Sequence, residues 1–102
     1  MSVSVAIWTP EAEADLEEIA YHIAVKELRP LVAEQVVRDI AAACSKYAAN
    51  PAIGQRETRV GVDCHRFTFK RWVVLYKPVS DGIAVLRIVD SARDFDRLFN
   101  DG

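Results

Sequence analysis

Apolar and polar residues alternate at the start of the chain and then change to a helical spacing. From Val3 to Trp8 the side chains alternate with a period of two, which predicts a strand with one face in the core. Thr9 and Pro10 are suited to the cap and first position of a helix. We therefore predict a helix from Pro10 to about Lys26. Its apolar stripe comprises Ala12, Leu16, Ile19, Ala20 and Ile23.

A second helix is predicted from Pro30 to Ala49. Proline begins a helix readily, and Asn50 with the proline after it ends one. The connection between the two helices, Glu27 to Arg29, is short, so we expect an antiparallel helical hairpin. Its second apolar stripe, with spacings of three and four, comprises Ala33, Val36, Val37, Ile40, Ala41, Cys44 and Tyr47.

The rest of the chain predicts an antiparallel sheet. Ala52 to Gly61 is mostly polar and is predicted as a surface loop. Three apolar stretches follow, separated by connections short enough for hairpins. The predicted strands are Val62 to Phe69, Trp72 to Lys77 and Ile83 to Val89. The fold class is therefore α+β in the order β-α-α-β-β-β, with the helical hairpin packed on an antiparallel C-terminal meander and a short C-terminal helical turn. We expect residues 1–102 to form one domain.

Both faces of the last two strands are apolar. Alternation places Trp72, Val74 and Tyr76 on one side, and Val73 and Leu75 on the other. One helical hairpin covers only one face, so the other needs the C-terminal turn, a second subunit or a separate polypeptide. On the last strand, alternation sets Ile83, Val85 and Val89 against Ala84, Leu86 and Ile88. The predicted apolar partner-binding residues are Trp72, Tyr76, Phe95, Leu98 and Phe99.

Composition and charge indicate where the protein acts and what kind of partner it binds. The sequence has neither the pattern of a signal peptide nor an apolar stretch long enough to cross a membrane, so we expect a cytoplasmic protein. Cys44 and Cys64 are predicted as buried free thiols. The net charge of −2 hides six cations against two acids between residues 66 and 93. That bias favours an acidic partner or phosphates, although an ordinary solvated surface would look the same.

Four arginines are the candidate functional side chains. Placed on neighbouring strands, they can form a guanidinium cluster that binds carboxylates or phosphates; they are Arg66, Arg71, Arg87 and Arg93. The alternative is that Arg87 and Arg93 pair internally with Asp63, Asp90 or Asp94. The first-helix acids Glu11, Asp15 and Glu18 are predicted to be solvated. No metal or cofactor motif is present, and His22 and His65 are predicted to be structural or surface residues.

Several stretches together resemble a known family. They are Trp8 to Ile19, Asn50 to Gly54, Arg66 to Pro78 and Asp81 to Asp94. In order and spacing they are similar to the ParE branch of the ParE/RelE toxin superfamily, across nearly the whole chain. The resemblance implies the β-α-α-β-β-β fold and the toxin half of a type II toxin-antitoxin, or plasmid-stabilisation, system. It also implies a ParD-like antitoxin as a tight partner, with DNA contacted only through that antitoxin.

The resemblance leaves two modes of action open. ParE-like members are associated with inhibition of DNA gyrase, and RelE-like members with cleavage of messenger RNA in the ribosome. RNA cleavage needs a base, an acid and cations in one cleft. Here Asp90 occupies the position where the family often has histidine, and neither tyrosine nor histidine follows Tyr76. We therefore expect a non-enzymatic gyrase inhibitor with no catalytic residue. The alternatives are an RNA endonuclease using His65, or a degenerate toxin that only binds its antitoxin.

Overall fold

The computed structural model describes residues 4–90 and 94–97. Its strands are β1 (Val5–Trp8), β2 (Gln55–Arg56), β3 (His65–Phe69), β4 (Trp72–Val79) and β5 (Gly82–Val89). Its helices are α1 (Pro10–Tyr21), continued by a π-helical segment (His22–Lys26), and α2 (Pro30–Ala49), followed by a 3₁₀ turn (Pro51–Ile53). Residues 94–97 are helical. The predicted α+β order is confirmed.

The five strands form one mixed sheet in the order β1-β5-β4-β3-β2. The meander β3-β4-β5 is antiparallel as predicted, while β1 joins β5 in parallel. The close approach of these strands requires glycine at Gly82, because a Cβ there would overlap the Val5 carbonyl oxygen. The short strand β2 lies inside the segment that was predicted as a loop, and it pairs with β3.

Thr9 fixes the junction between sheet and helix. Its hydroxyl accepts a hydrogen bond from the Ala12 amide at 3.1 Å, which confirms the predicted N-cap. The same hydroxyl donates to the Leu86 carbonyl of β5 at 3.0 Å. One side chain therefore caps α1 and ties it to the strand that α1 packs against.

The core lies on both sides of the sheet. The helices cover one face, where Trp72, Val74 and Tyr76 are buried as alternation predicted. On the other face, Val73 and Leu75 are covered by Phe95 of the C-terminal turn, which is completely buried. The sequence left three possible covers for this face, and around these residues the cover is the chain's own C-terminal turn. Both predicted free thiols are confirmed as buried, Cys44 on the inner side of α2 and Cys64 beneath Phe95.

The alternation predicted for β5 is wrong in its second half. Leu75 pairs with Arg87 but the next residue, Tyr76, pairs with Val85, so β5 carries one extra residue opposite the irregularity. Ile88 therefore joins Ile83 and Val85 under the helices, and Leu86 and Val89 lie on the opposite face. The extra residue moves Ile88 and Val89 to the sides opposite those that simple alternation predicts.

None of the described helices is long and apolar enough to cross a bilayer.

Candidate functional site

A groove runs between α1 and the neighbouring ends of β4 and β5. It encloses about 460 Å³ and continues along the π-helical segment. Ile19, Ile23, Trp72 and Ile88 contribute its apolar lining. The charged residues that line it are Asp15, Glu18, Lys26, Glu27, Arg71, Arg87, Asp90 and Asp94. We call this cavity the α1–β5 groove; it is the concave site where two of the predicted arginines meet.

Arg87 is held in the groove by Asp15. Its Nε donates to one carboxylate oxygen at 2.7 Å and its Nη2 donates to the other at 3.1 Å. The Ile88 amide also donates to Asp15, at 2.9 Å. Such two-pronged pairing is among the stronger contacts that an arginine makes. Hydrogen bonding to Asp15 raises the pKa of Arg87 further above its ordinary value.

The prediction that Asp15 is solvated is therefore wrong. Its side chain is only 14% exposed and it joins α1 to β5. Helical periodicity placed this residue off the apolar stripe, and nothing in the sequence indicated that β5 would present an arginine and an amide to it. The predicted alternative of internal pairing describes Arg87 correctly, but its partner is Asp15 and not one of the three acids named there.

Arg71 lines the same groove through a looser ion pair. It follows Lys70, which adopts a left-handed backbone conformation with φ of 54° in the β3–β4 hairpin. Its Nε lies 2.8 Å from one Asp90 oxygen, and its Nη2 donates to the other at 3.0 Å. Both side chains are about half exposed, so we expect this pair to contribute at most about 1 kcal/mol. Asp90 thus serves as an arginine partner at the end of β5.

Arg66 lies on the other face of the sheet. Its guanidinium carbon lies 5.0 Å from the centre of the Phe95 ring, and its Nε lies 3.7 Å from Glu57. The structure therefore brings Arg71 and Arg87 together but places Arg66 elsewhere. Arg93 lies outside the described residues. The predicted single cluster is not formed by the three arginines that the structure describes.

The predicted apolar contacts that the structure describes are buried in the isolated chain. Trp72 is 6% exposed, whereas Tyr76 and Phe95 are not exposed at all. The Tyr76 hydroxyl donates to the Pro51 carbonyl at 2.6 Å, and burial raises the pKa of Tyr76 to about 12. Leu98 and Phe99 lie outside the described residues. A partner reaches the three buried rings only if the core around them opens.

The helical hairpin exposes apolar side chains around the connection between its two helices. Leu28 and Leu31 are 81% and 78% exposed, and Leu28 adopts a left-handed backbone conformation with φ of 55°. We call this surface the hairpin tip; it comprises Tyr21, Val25, Leu28, Leu31 and Val32. Sequence reasoning missed it, although leucines flanking Arg29 and Pro30 in a connection were a usable signal.

The two histidines make local contacts. The His22 Nε2 lies 3.3 Å from Glu27 at the hairpin connection, and His22 lines the groove. The His65 Nδ1 lies 3.0 Å from the Asp63 carbonyl oxygen, and its ring stacks against Tyr76 at 5.5 Å between centres. Within residues 4–90 and 94–97, no group of three potential metal-ligating side chains is found.

Comparison with known proteins identifies the family. The family model described as "ParE toxin of type II toxin-antitoxin system, parDE" matches residues 6–95. The chain belongs to the ParE toxin family. Among solved structures, this ParE-family chain is similar to one described as "Chromosomal ParDE TA system from P. aeruginosa". That similarity has a TM-score of 0.71 and 23% sequence identity, and it covers 87% of this chain and 97% of the other. No curated protein matches the chain.

Family membership makes this chain a toxin of a type II toxin-antitoxin system. The similar structure supports the fold alone at this level of identity. The matched segment runs from the second residue of β1 to Phe95 of the C-terminal turn, and it contains all the elements between them. The whole α1–β5 groove therefore lies within the family's own segment, as do Asp15, Arg71, Arg87 and Asp90.

Proposed function

We propose that this ParE-family toxin inhibits DNA gyrase by binding to it, without catalysing a reaction, and that a ParD-like antitoxin neutralises it. The toxin role comes from the family. The resemblance of the chain to the ParE branch supports gyrase as the target. The similar solved structure belongs to a ParDE system, which supports a ParD-like partner for this chain as well.

The ion pairs of the two groove arginines support the proposal that the toxin acts without catalysing a reaction. A nuclease uses free cations to stabilise the charge that develops on phosphate during cleavage. Here the Asp15 carboxylate binds Arg87 through both of its oxygens, and Asp90 forms an ion pair with Arg71. Each guanidinium is already neutralised within the chain. A groove of this kind is better suited to recognising a protein surface through its polar rim and apolar lining than to cleaving RNA.

The hairpin tip is the surface that best fits an antitoxin. Apolar side chains exposed together on a helical hairpin suit the apolar stripe of an amphipathic helix. An acidic tail following that helix would compete with Asp90 for Arg71, whose side chain is 58% exposed and whose ion pair with Asp90 is weak. We therefore place the antitoxin helix on the hairpin tip and its tail toward the groove.

The target is tested by adding the purified toxin to a gyrase supercoiling assay and a ribosome-dependent RNA-cleavage assay in parallel. We expect inhibition of supercoiling with accumulation of gyrase-dependent DNA breaks, reversed by the ParD-like antitoxin, and intact RNA. Codon-dependent RNA cuts with unaffected gyrase would refute the proposal in favour of an endonuclease. If the chain neither inhibits supercoiling nor cleaves RNA but still binds the antitoxin, a degenerate toxin would be favoured.

The antitoxin surface is tested with a matched pair of variants. Leu31 and Val62 are both 78% exposed, but only Leu31 belongs to the hairpin tip. We expect Leu31→Ser to weaken antitoxin binding about tenfold or more, which is typical of an apolar anchor at an interface. Val62→Ser should leave the affinity unchanged. Equal affinities of the two variants would remove the hairpin tip from the interface.

A further inference from the structure

A small network of charge and aromatic contacts fastens the C-terminal turn to the sheet. Glu57 is the one charged residue that is buried in the described part of the chain, at 6% exposure. It accepts from the Arg59 Nε at 2.8 Å and from the Arg59 Nη2 at 3.1 Å. The Arg59 amide also donates to it at 3.3 Å, and the Arg66 Nε lies 3.7 Å from it. One buried carboxylate therefore anchors two arginines from two different segments.

Both arginines lie against the same ring. The guanidinium carbon of Arg59 is 5.2 Å and that of Arg66 is 5.0 Å from the centre of the Phe95 ring, within the range of cation–π attraction. Arg59 also lies 3.8 Å from Asp96, the residue after Phe95. The C-terminal turn is thus held through its aromatic ring and through its neighbouring acid.

The surface beneath Phe95 is apolar and contains one thiol. Phe95 contacts a cluster of Cys64, Val73, Leu75 and Val89, and Leu86 packs at its edge. These residues have no cover from the helices, which lie on the opposite face. Their burial therefore depends on a short turn whose anchoring groups are partly exposed, since Arg59 is 49% and Arg66 is 26% exposed.

We propose that Glu57, Arg59, Arg66 and Phe95 form a latch that opens while the rest of the domain stays folded. In the closed state, Phe95 seals the second apolar face. In the open state, the ring leaves, Cys64 and Leu75 meet solvent, and Arg66 loses its aromatic contact. Local opening of one segment costs less free energy than global unfolding. The opening is independent of the proposed gyrase and antitoxin roles.

The two cysteines provide an internal test in the native protein. Cys64 lies under Phe95, whereas Cys44 is completely buried between α2 and the other face of the sheet. Labelling with N-ethylmaleimide at neutral pH, followed by peptide mass spectrometry, measures the rate at each thiol. We expect Cys64 to react faster than Cys44, whose rate follows global unfolding. Equal rates that both track global unfolding would overturn the proposal.

Two variants test the latch contacts themselves. Arg66→Gln removes one guanidinium, and Phe95→Leu keeps an apolar side chain but removes the aromatic ring. We expect each to speed labelling of Cys64 about tenfold. Arg66→Gln removes a cation–π contact and an ion pair, and Phe95→Leu removes two cation–π contacts. The rate at Cys44 should rise only as much as global unfolding does, because labelling of Cys44 requires that unfolding. If Cys64 in either variant is labelled no faster than Cys44, only global unfolding exposes it and the latch does not exist.

Arg66→Gln is preferred to a change of Glu57 because burial, and after it the Glu57 charge, raise the pKa of Cys64. Removing that carboxylate would alter the reactivity of the thiol directly. Arg38→Gln makes the same change in charge at an exposed position of α2 and serves as the control. It should leave both labelling rates unchanged. Acceleration of Cys64 by Arg38→Gln equal to that by Arg66→Gln would also overturn the proposal.

Discussion

Substitution of Asp15 by alanine tests the tie between α1 and β5. Asp15 accepts hydrogen bonds from the Arg87 Nε, the Arg87 Nη2 and the Ile88 amide, and it is only 14% exposed. The substitution leaves the Ile88 amide unpaired at a position between helix and strand. It also frees an arginine that lines the α1–β5 groove. We expect the variant to fold with reduced stability.

The magnitude follows from these contacts. An unsatisfied amide at a largely buried position costs about 1–3 kcal/mol. Arg87 is 43% exposed and becomes partly solvated when freed, so loss of the ion pair adds only about 0.5–1 kcal/mol. Alanine returns about 0.5 kcal/mol as a better helix former. The expected net loss is about 2 kcal/mol, which lowers the melting temperature by about 10 °C in a domain of this size.

Urea unfolding followed by circular dichroism measures this loss. Glu17→Ala is the matched control, because Glu17 is exposed on the same helix. That variant should stay within about 0.5 kcal/mol of the unsubstituted protein. Combining Asp15→Ala with Arg87→Ala should cost less than the sum of the two single losses, because the pair is already broken. Equal stability of Asp15→Ala and Glu17→Ala would refute the assigned role of Asp15.

Three further predictions concern the second half of the chain. A Cβ on Gly54 would overlap the Tyr76 hydroxyl oxygen, so Gly54→Ala should lower the free energy of unfolding by about 1–3 kcal/mol, measured by thermal unfolding. Gly61 has open space around it, so Gly61→Ala should leave stability unchanged. An equal loss of stability in both variants would contradict this prediction. Hydrogen bonding from Arg59 lowers the pKa of Glu57, so its stabilisation is complete above the unfolded pKa of about 4.3 and disappears as pH falls through the folded value. Unfolding measured from pH 5 to pH 3 should therefore show a shallower loss for Glu57→Gln, and parallel curves would contradict it. Ultraviolet titration should show one tyrosine ionising at about pH 12, a phase that Tyr76→Phe removes; its persistence in that variant would contradict the assignment.

The sequence predicted the elements well where local chemistry decides them. The cap at Thr9, the prolines that begin both helices and the stripe through Val36, Ile40 and Cys44 all act within a few residues. The opposite faces of β4 also followed from simple alternation, because that strand is unbroken and buried on both sides. These features can be predicted without knowing which residues far away in the sequence they contact.

The candidate site was less predictable because it depends on contacts between distant residues. Asp15 and Arg87 are separated by 72 positions, and nothing local to Asp15 indicates its partner. The bulge opposite Leu75 and Tyr76 alters which side chains of β5 share a face. The predicted arginine cluster is divided, with Arg66 against Phe95 and Arg87 against Asp15 of α1. Strand β2 has only two residues and carries too short a pattern to detect.

The central claim, that this ParE-family toxin acts by binding DNA gyrase, is tested most directly by titrating the purified chain into gyrase and measuring the heat released. We predict saturable binding with a defined stoichiometry, lost when the toxin is first mixed with its ParD-like antitoxin. The absence of saturable binding by a folded, antitoxin-competent chain would contradict the account.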